Sequence, residues 1–243
     1  MGRFTGFMSY RTIVWTPFPF SGIPEPFASL DDYRQFREIF AQINSLNETR
    51  RVWWDIRAHH AQPTVEFRVS DMPLHHEDML GIVAFAQALV KTIIRRIEDH
   101  QPLPVYPRAF IEENRWRVAR WGLRGMMADF ERRCEIPTLD AVAAALDLVS
   151  DAAAELGTTA HIDHLRGMLA PGYLNGAERQ IAAYKKRYDA RDATRMLMEE
   201  TMRGIDLKAA MPIATTQEGL KANGQRKSPF LRMRHPPDAP AQA

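Results

Sequence analysis

Residues 63–71 read Pro63-Thr64-Val65-Glu66-Phe67-Arg68-Val69-Ser70-Asp71. Apolar Val65, Phe67 and Val69 alternate with Thr64, Glu66 and Arg68, which is the period of a β-strand. Successive strand side chains point to opposite faces. One face is therefore oily, and the other carries a carboxylate and a guanidinium two residues apart. Just upstream, Arg51-Val52-Trp53-Trp54-Asp55-Ile56-Arg57 shows the same period. Val52, Trp54 and Ile56 fall on one side; Trp53, Asp55 and Arg57 fall on the other. Paired as a hairpin, the two stretches make a sheet face bearing Asp55, Arg57, Glu66 and Arg68. Carboxylate oxygens hold hard cations and guanidinium forks hold phosphate oxygens, so such a face suits a metal ion with a phosphate. The same residues also suit a salt-bridged pair on a solvated sheet.

Outward from the hairpin, the pattern predicts a strand over residues 4–15 and a Pro-rich loop over 16–28. Ser29 with Asp31 and Asp32 caps a helix running to about residue 44. Residues 74–99 read as a long helix, with Met79, Ile82, Val83, Ala86, Leu89, Val90, Ile93 and Ile97 at helical spacing. A helix is predicted over 108–121 and a short strand pair or loop over 123–131. Thr138 with Asp140 starts a helix that Gly157 ends, and shorter helices follow over 159–204. Strands early and helices late make an α+β chain.

The chain has 243 residues, enough for one large domain or two small ones. It is 45% hydrophobic and 26% charged, the balance of a soluble globular protein. No apolar run is long enough to span a bilayer and no secretory pattern is present, so no membrane partner is expected. Cys134 is the only cysteine, which excludes an intramolecular disulfide and fits a reducing, cytoplasmic setting. The formal net charge is +2. Residues 221–243 carry Lys221, Arg226, Lys227, Arg232 and Arg234 against Asp238, so the basic character lies in this tail. The tail is Pro-rich with no apolar period, and disorder is expected there. Arginine outnumbers lysine throughout, which reads as genomic composition; nucleic acid is not the expected partner. His59-His60, His75-His76 and His161-x-x-His164 lack a third ligand at a recognisable spacing. No phosphate-cradling glycine loop occurs.

Several stretches together resemble the type 2 glutamate–cysteine ligases, also called YbdK-type carboxylate–amine ligases. Besides 53–57 and 63–71, they are Thr5-Gly6-Phe7-Met8-Ser9-Tyr10-Arg11, Ser21-Gly22-Ile23-Pro24 and Glu113-Asn114-Arg115-Trp116-Arg117-Val118-Ala119-Arg120-Trp121-Gly122-Leu123. Glu199-Glu200-Thr201-Met202-Arg203-Gly204 is a weaker echo. The likeness runs from about residue 4 to about residue 204. It implies a glutamine-synthetase-like fold in which an antiparallel sheet floors the active site. It implies ATP and Mg2+, glutamate, and cysteine or another amine as acceptor, with an amide formed through a γ-glutamyl phosphate. Family members begin with a further segment whose Gly-x-Glu-x-Glu strand holds the metals, and no such motif occurs here. Residues 1–220 are thus expected to be the C-terminal portion of a catalytic domain whose N-terminal strands are missing. A truncated gene product, a mis-called start and one half of a split enzyme with a separate N-terminal half are the origins this leaves open; a homodimer is a further possibility. A catalytically incomplete fragment that only binds a partner, and an unrelated α+β binding protein, are the other readings.

The resemblance assigns roles residue by residue. Glu66 would be a magnesium ligand, joined by Asp55. Arg68 would steady the transferring phosphoryl group. Arg11, beside Ser9, is either an anchor for the substrate carboxylate or a sheet-edge charge. Asp55 and Arg57 either complete the polar face, with Arg57 at the substrate, or pair with each other. Asn114, Arg117 and Arg120 step by three residues and share a helix side, from which they either reach nucleotide phosphates or form a solvated face.

Overall fold

Ser29 begins the most regular part of the chain. Its hydroxyl accepts the amide of Asp32, and helix α2 (Leu30–Gln42) follows with Asp31 and Asp32 in its positive first turn. The structure, a computed structural model, describes residues 5–43, 52–59 and 62–204. Residues 1–203 form one compact unit. Of the second unit, residues 204–243, only Gly204 is described, so the expected disordered tail lies outside the described residues.

Residues 4–15 were expected as a strand, and the structure corrects this. Helix α1 (Tyr10–Trp15) occupies the second half of that stretch. Ser9 caps it at the Thr12 amide, and the amides of Met8 and Ser9 both donate to the carbonyl of Ala119. Local capping and docking thus satisfy the backbone that a strand would have needed a neighbour to satisfy. Strand β1 (Ser21–Gly22) then pairs in parallel with β2 (Trp53–Trp54). Strands β3 (Ile56–Ala58) and β4 (Val65–Phe67) pair antiparallel, so the expected hairpin exists in shorter form. Strands β5 (Met126–Asp129) and β6 (Cys134–Pro137) make a second hairpin; β5 lies within 123–131, where a strand pair or loop was expected, and β6 lies beyond it. Among the described residues the strands form three separate pairs rather than one antiparallel sheet. Helix and strand together keep the chain in the α+β class.

Two cores hold the unit. Val52 and Trp54 are buried beneath Phe20, Phe27, Tyr33, Phe36 and Phe40, an aromatic cluster that seats α2 on the start of the hairpin. Each such large side chain contributes about 1.5–3 kcal/mol by leaving water. The second core joins α3 (His76–Glu98), α5 (Thr138–Leu148), α6 (Ser150–Glu155) and α7 (Thr159–Gly167). Helix α4 (Arg108–Trp121) runs between the hairpins, and α8 (Gly176–Lys185) and α9 (Ala190–Thr201) complete the unit.

Helix α3 is present as expected, but it turns a different side inward. The buried positions are Asp78, Gly81, Ala84 and Ala88, while Met79, Val83, Ile93 and Ile97 are exposed. Small residues let α3 approach α7 closely: a Cβ at Gly81 would lie 2.7 Å from Leu165 Cδ2. The sequence pattern marks apolar residues and cannot tell a close-packed seam of small ones from an outer stripe of large ones. Gly81→Val should therefore destabilise the chain by about 1–3 kcal/mol through overpacking, read as a lower urea midpoint at unchanged slope.

Candidate active site on the β3–β4 hairpin

The register sets Arg57 directly opposite Glu66. Directly opposed residues on neighbouring strands project to the same face. Glu66 Oε2 accepts from Arg57 Nη2, and Glu66 Oε1 accepts from Arg68 Nη1 at 2.6 Å. One carboxylate thus lies clamped between two guanidinium groups. Arg57 also donates from Nη1 to the carbonyl of Val52 at 2.9 Å. Arg68 stacks on the Trp53 ring, 4.8 Å from its centroid, and its amide donates to the carbonyl of Asp55 at 2.7 Å. Burial by itself would raise the Glu66 pKa. The hydrogen bonds and charges of Arg68 and Arg57 outweigh it and hold the carboxyl below its ordinary value.

Arg11 and Ser9 have structural partners. Arg11 Nη2 donates to the carbonyl of Arg68 at 2.8 Å and Nη1 to that of Val69 at 3.4 Å. It thereby ties α1 to the chain leaving β4. The Ser9 hydroxyl lies 2.7 Å from Thr12 Oγ1 within its cap. Asp55 does not face Glu66 as a second free acid. It accepts from Arg115 Nε at 2.7 Å and Nη2 at 3.4 Å, both side chains largely buried. Sequence reasoning passed over Arg115, because the three-residue steps through Asn114, Arg117 and Arg120 select another side of α4. The only signal for it was that Asp55 needs a cation once buried.

The structure separates those three. The Asn114 amide makes two hydrogen bonds to the backbone of Ala128, donating at 2.9 Å and accepting at 2.8 Å, and so pins α4 to β5. Arg117 is paired with Glu113 at 2.7 Å and Glu135 at 2.5 Å. Arg120 differs. Its guanidinium stacks 4.2 Å from the Trp121 centroid and 5.4 Å from that of Phe7, and among the described residues it makes no ion pair. Gly6, at φ +88°, lets the chain pass close by; a Cβ there would sit 3.4 Å from Arg120 Nη1.

Among the described residues no three acids, histidines or cysteines cluster as a metal site. Both oxygens of Glu66 are engaged by arginine, and Asp55 is engaged by Arg115. A divalent cation would add charge to a site that already carries three guanidinium groups against two carboxylates. The described residues therefore do not by themselves fit the Mg2+ that the resemblance implies. Two of the histidines are bonded to carboxylates. His75 Nε2 lies 2.5 Å from Glu200, and His164 Nε2 lies 2.8 Å from Asp78. Glu200 also accepts from Arg179 at 2.9 Å and Arg203 at 2.7 Å. The hydrogen bond from His75 comes first in holding the Glu200 pKa down, ahead of the charges of Arg203 and Arg179.

Two measurements test this geometry. Asp55→Ala and Arg115→Ala should each destabilise by about 2–4 kcal/mol, because each leaves a largely buried charge alone, and the double variant should cost less than the sum. An additive double-mutant cycle would show that the pair is not coupled. Glu66, with its folded pKa lowered, stabilises the chain above its unfolded value near 4.5, and that stabilisation is lost as pH falls through the lower folded value. Melting temperatures followed from pH 6 downward should therefore fall less for Glu66→Gln than for the unmodified chain.

Comparison with known proteins gives the cluster a setting. The sequence profile of glutamate–cysteine ligase family 2 matches residues 1–204. A protein of Herpetosiphon aurantiacus named "putative glutamate–cysteine ligase 2" is 36% identical over 215 residues, covering 88% of this chain and 55% of its own. Proteins of the same name from Solibacter usitatus and Chloroflexus aurantiacus are 35% and 34% identical, with 84% and 86% of this chain covered and 53% of each relative. The chain spans about half the length of the curated relatives it matches. It belongs to glutamate–cysteine ligase family 2.

Proposed function

We propose that this chain carries the phosphoryl-handling hairpin of an ATP-dependent carboxylate–amine ligase of the glutamate–cysteine type, in a glutamine-synthetase-like domain. The observation that carries the reading is the Arg57–Glu66–Arg68 clamp, in a chain whose family membership covers residues 1–204. In the proposed reaction an oxygen of the glutamate γ-carboxylate attacks the γ-phosphorus of ATP, and ADP leaves. The amine nitrogen then attacks the acyl carbon of the γ-glutamyl phosphate. The C–O bond breaks, phosphate departs, and the nitrogen loses a proton to give the amide. Both steps place negative charge on phosphoryl oxygens, so positioned cations are the main help a protein can give.

Arg68 suits that work. Trp53 holds its plane and Glu66 takes one N–H, which leaves other donors of the fork for a phosphoryl group. Glu66 orients both guanidinium groups, and Arg57 fixes the hairpin beneath through Val52. Arg120, with no acid partner among the described residues, is the best placed of the three α4 candidates to receive a nucleotide phosphate or substrate carboxylate. Asn114 and Arg117 act in this reading by holding α4 against β5 and β6. No step is assigned to Mg2+. Small-molecule substrates follow from the reading. No helix among the described residues is long and apolar enough to cross a membrane.

The test is ADP release with glutamate and cysteine, with hydroxylamine present to trap an acyl phosphate as the hydroxamate. Arg68→Lys keeps the charge and loses the fork, and should lower turnover by roughly 10²–10³ with circular dichroism unchanged. Unchanged turnover in that variant would remove Arg68 from the chemistry.

A further inference from the structure

Helix α4 and the β5–β6 hairpin line a cleft of about 570 Å³ that shares no residue with the Arg57–Glu66–Arg68 clamp. That is the size of a small-molecule site. Its apolar wall is aromatic. Phe110 of α4 stacks on Phe130 of the turn between β5 and β6, with ring centroids 4.6 Å apart and planes at 26°. Phe110 is still 43% exposed, so ring surface remains open to the cleft. Ala128 adds only a methyl group to the lining. The polar wall sorts by charge. Asp129 Oδ1 accepts the amides of Glu131 and Arg132 at 3.1 and 2.9 Å, and the same carboxylate lies 3.7 Å from Arg132 Nε. Glu135 pairs with Arg117 at 2.5 Å. Both acids of the lining are therefore engaged within the chain. Arg133 is the charge left over: it lines the cleft, and among the described residues it makes no ion pair. Its backbone has φ +55°, in the left-handed region that favours glycine. A long cation thus stands where the turn itself would take glycine.

We propose that this cleft binds a planar aromatic carboxylate of one or two rings. The ring lies against Phe110 and Phe130 and extends their stack, and the carboxylate accepts paired N–H groups of Arg133. A cation is the wrong charge for the site, since Asp129 and Glu135 are already taken. A neutral ring would use the aromatic wall and leave Arg133 without an anion. The site is distinct from the candidate active site. Phe110, Asn114 and Arg117 step by four and three residues along one side of α4. Arg115, which holds Asp55, is on another side. The proposal does not depend on the ligase reading.

Cys134 lines the cleft and is the only cysteine of the chain, so its alkylation reports on this place alone. The full chain is treated with iodoacetamide, and the mass gain is followed over time with and without 2-naphthylacetate. The carboxylate should slow alkylation in a saturable way. 2-Naphthylethanol, the same rings with a hydroxyl in place of the charge, should need roughly tenfold more ligand for equal protection. Arg133→Gly removes the guanidinium while relieving the left-handed backbone. It should melt no lower than the unmodified chain and need about tenfold more 2-naphthylacetate. Phe110→Ala, at an exposed helical position, should weaken protection with unchanged circular dichroism. No protection by 2-naphthylacetate, equal protection by the alcohol, or protection that either variant leaves unchanged would each overturn the proposal.

Discussion

Asp55 is the point at which the chain leaves one sheet for another, and the site depends on how it is held. Its amide donates to the carbonyl of Gly22, next to the β1–β2 pair, and its own carbonyl accepts the amide of Arg68, next to β3–β4. The backbone of a single residue thus serves two strand pairs. The side chain binds Arg115 on α4, whose Nη1 also lies 3.4 Å from Thr16 Oγ1. Removing the carboxylate would leave Arg115 largely buried and uncompensated. It would also loosen the one position that sets Trp53 and Arg57 relative to each other. The acid expected to bind a metal is, in this arrangement, the fastening of the hairpin to the rest of the unit.

That fastening explains why a polar face can be rigid on such short strands. Pairs of two or three residues have little stability of their own. Here β2 is seated by Trp54 in the aromatic core, and β3 is tied back through Arg57 to the carbonyl of Val52. The segment leaving β4 is caught by Arg11 from α1. The Glu66 carboxylate joins β3 to β4 through charge. With two guanidinium groups on one carboxylate, the cluster keeps an excess of positive charge, and an anionic group is the natural completion of such a site.

What the sequence revealed depended on whether a signal was local. Ser29 and the two aspartates mark a helix start with chemistry complete within four residues, and the helix is there. The alternation around Glu66 placed Glu66 and Arg68 on one face, which the structure shows, although the apolar set Val65, Phe67 and Val69 is exposed. The kink at Asp55 was not legible, since the pattern of 51–57 continues through it. Only the partner strands, distant in sequence, show that β2 and β3 belong to different pairs. The strand expected over residues 4–15 was also wrong, because a serine cap and the Ala119 carbonyl decided for helix. On α4 the spacing of Asn114, Arg117 and Arg120 was real. What each side chain spends its hydrogen bonds on is set by β5 and β6, and that commits two of the three to structure.

The position of the hairpin is also fixed from downstream, and small residues do that work. Gly81, Ala84 and Ala88 let α3 lie close against α7, so the first turn of α3 has a definite place. Asp78 in that turn binds His164 on α7, and His75 at its cap binds Glu200 on α9. Eight residues separate β4 from α3, so a helix start held on two sides limits where β4 can end. Arg115 holds the chain entering the hairpin, and the α3 start holds the chain leaving it. A larger residue on the inner seam would therefore move the clamp without touching it, whereas a change on the outer stripe leaves that path intact.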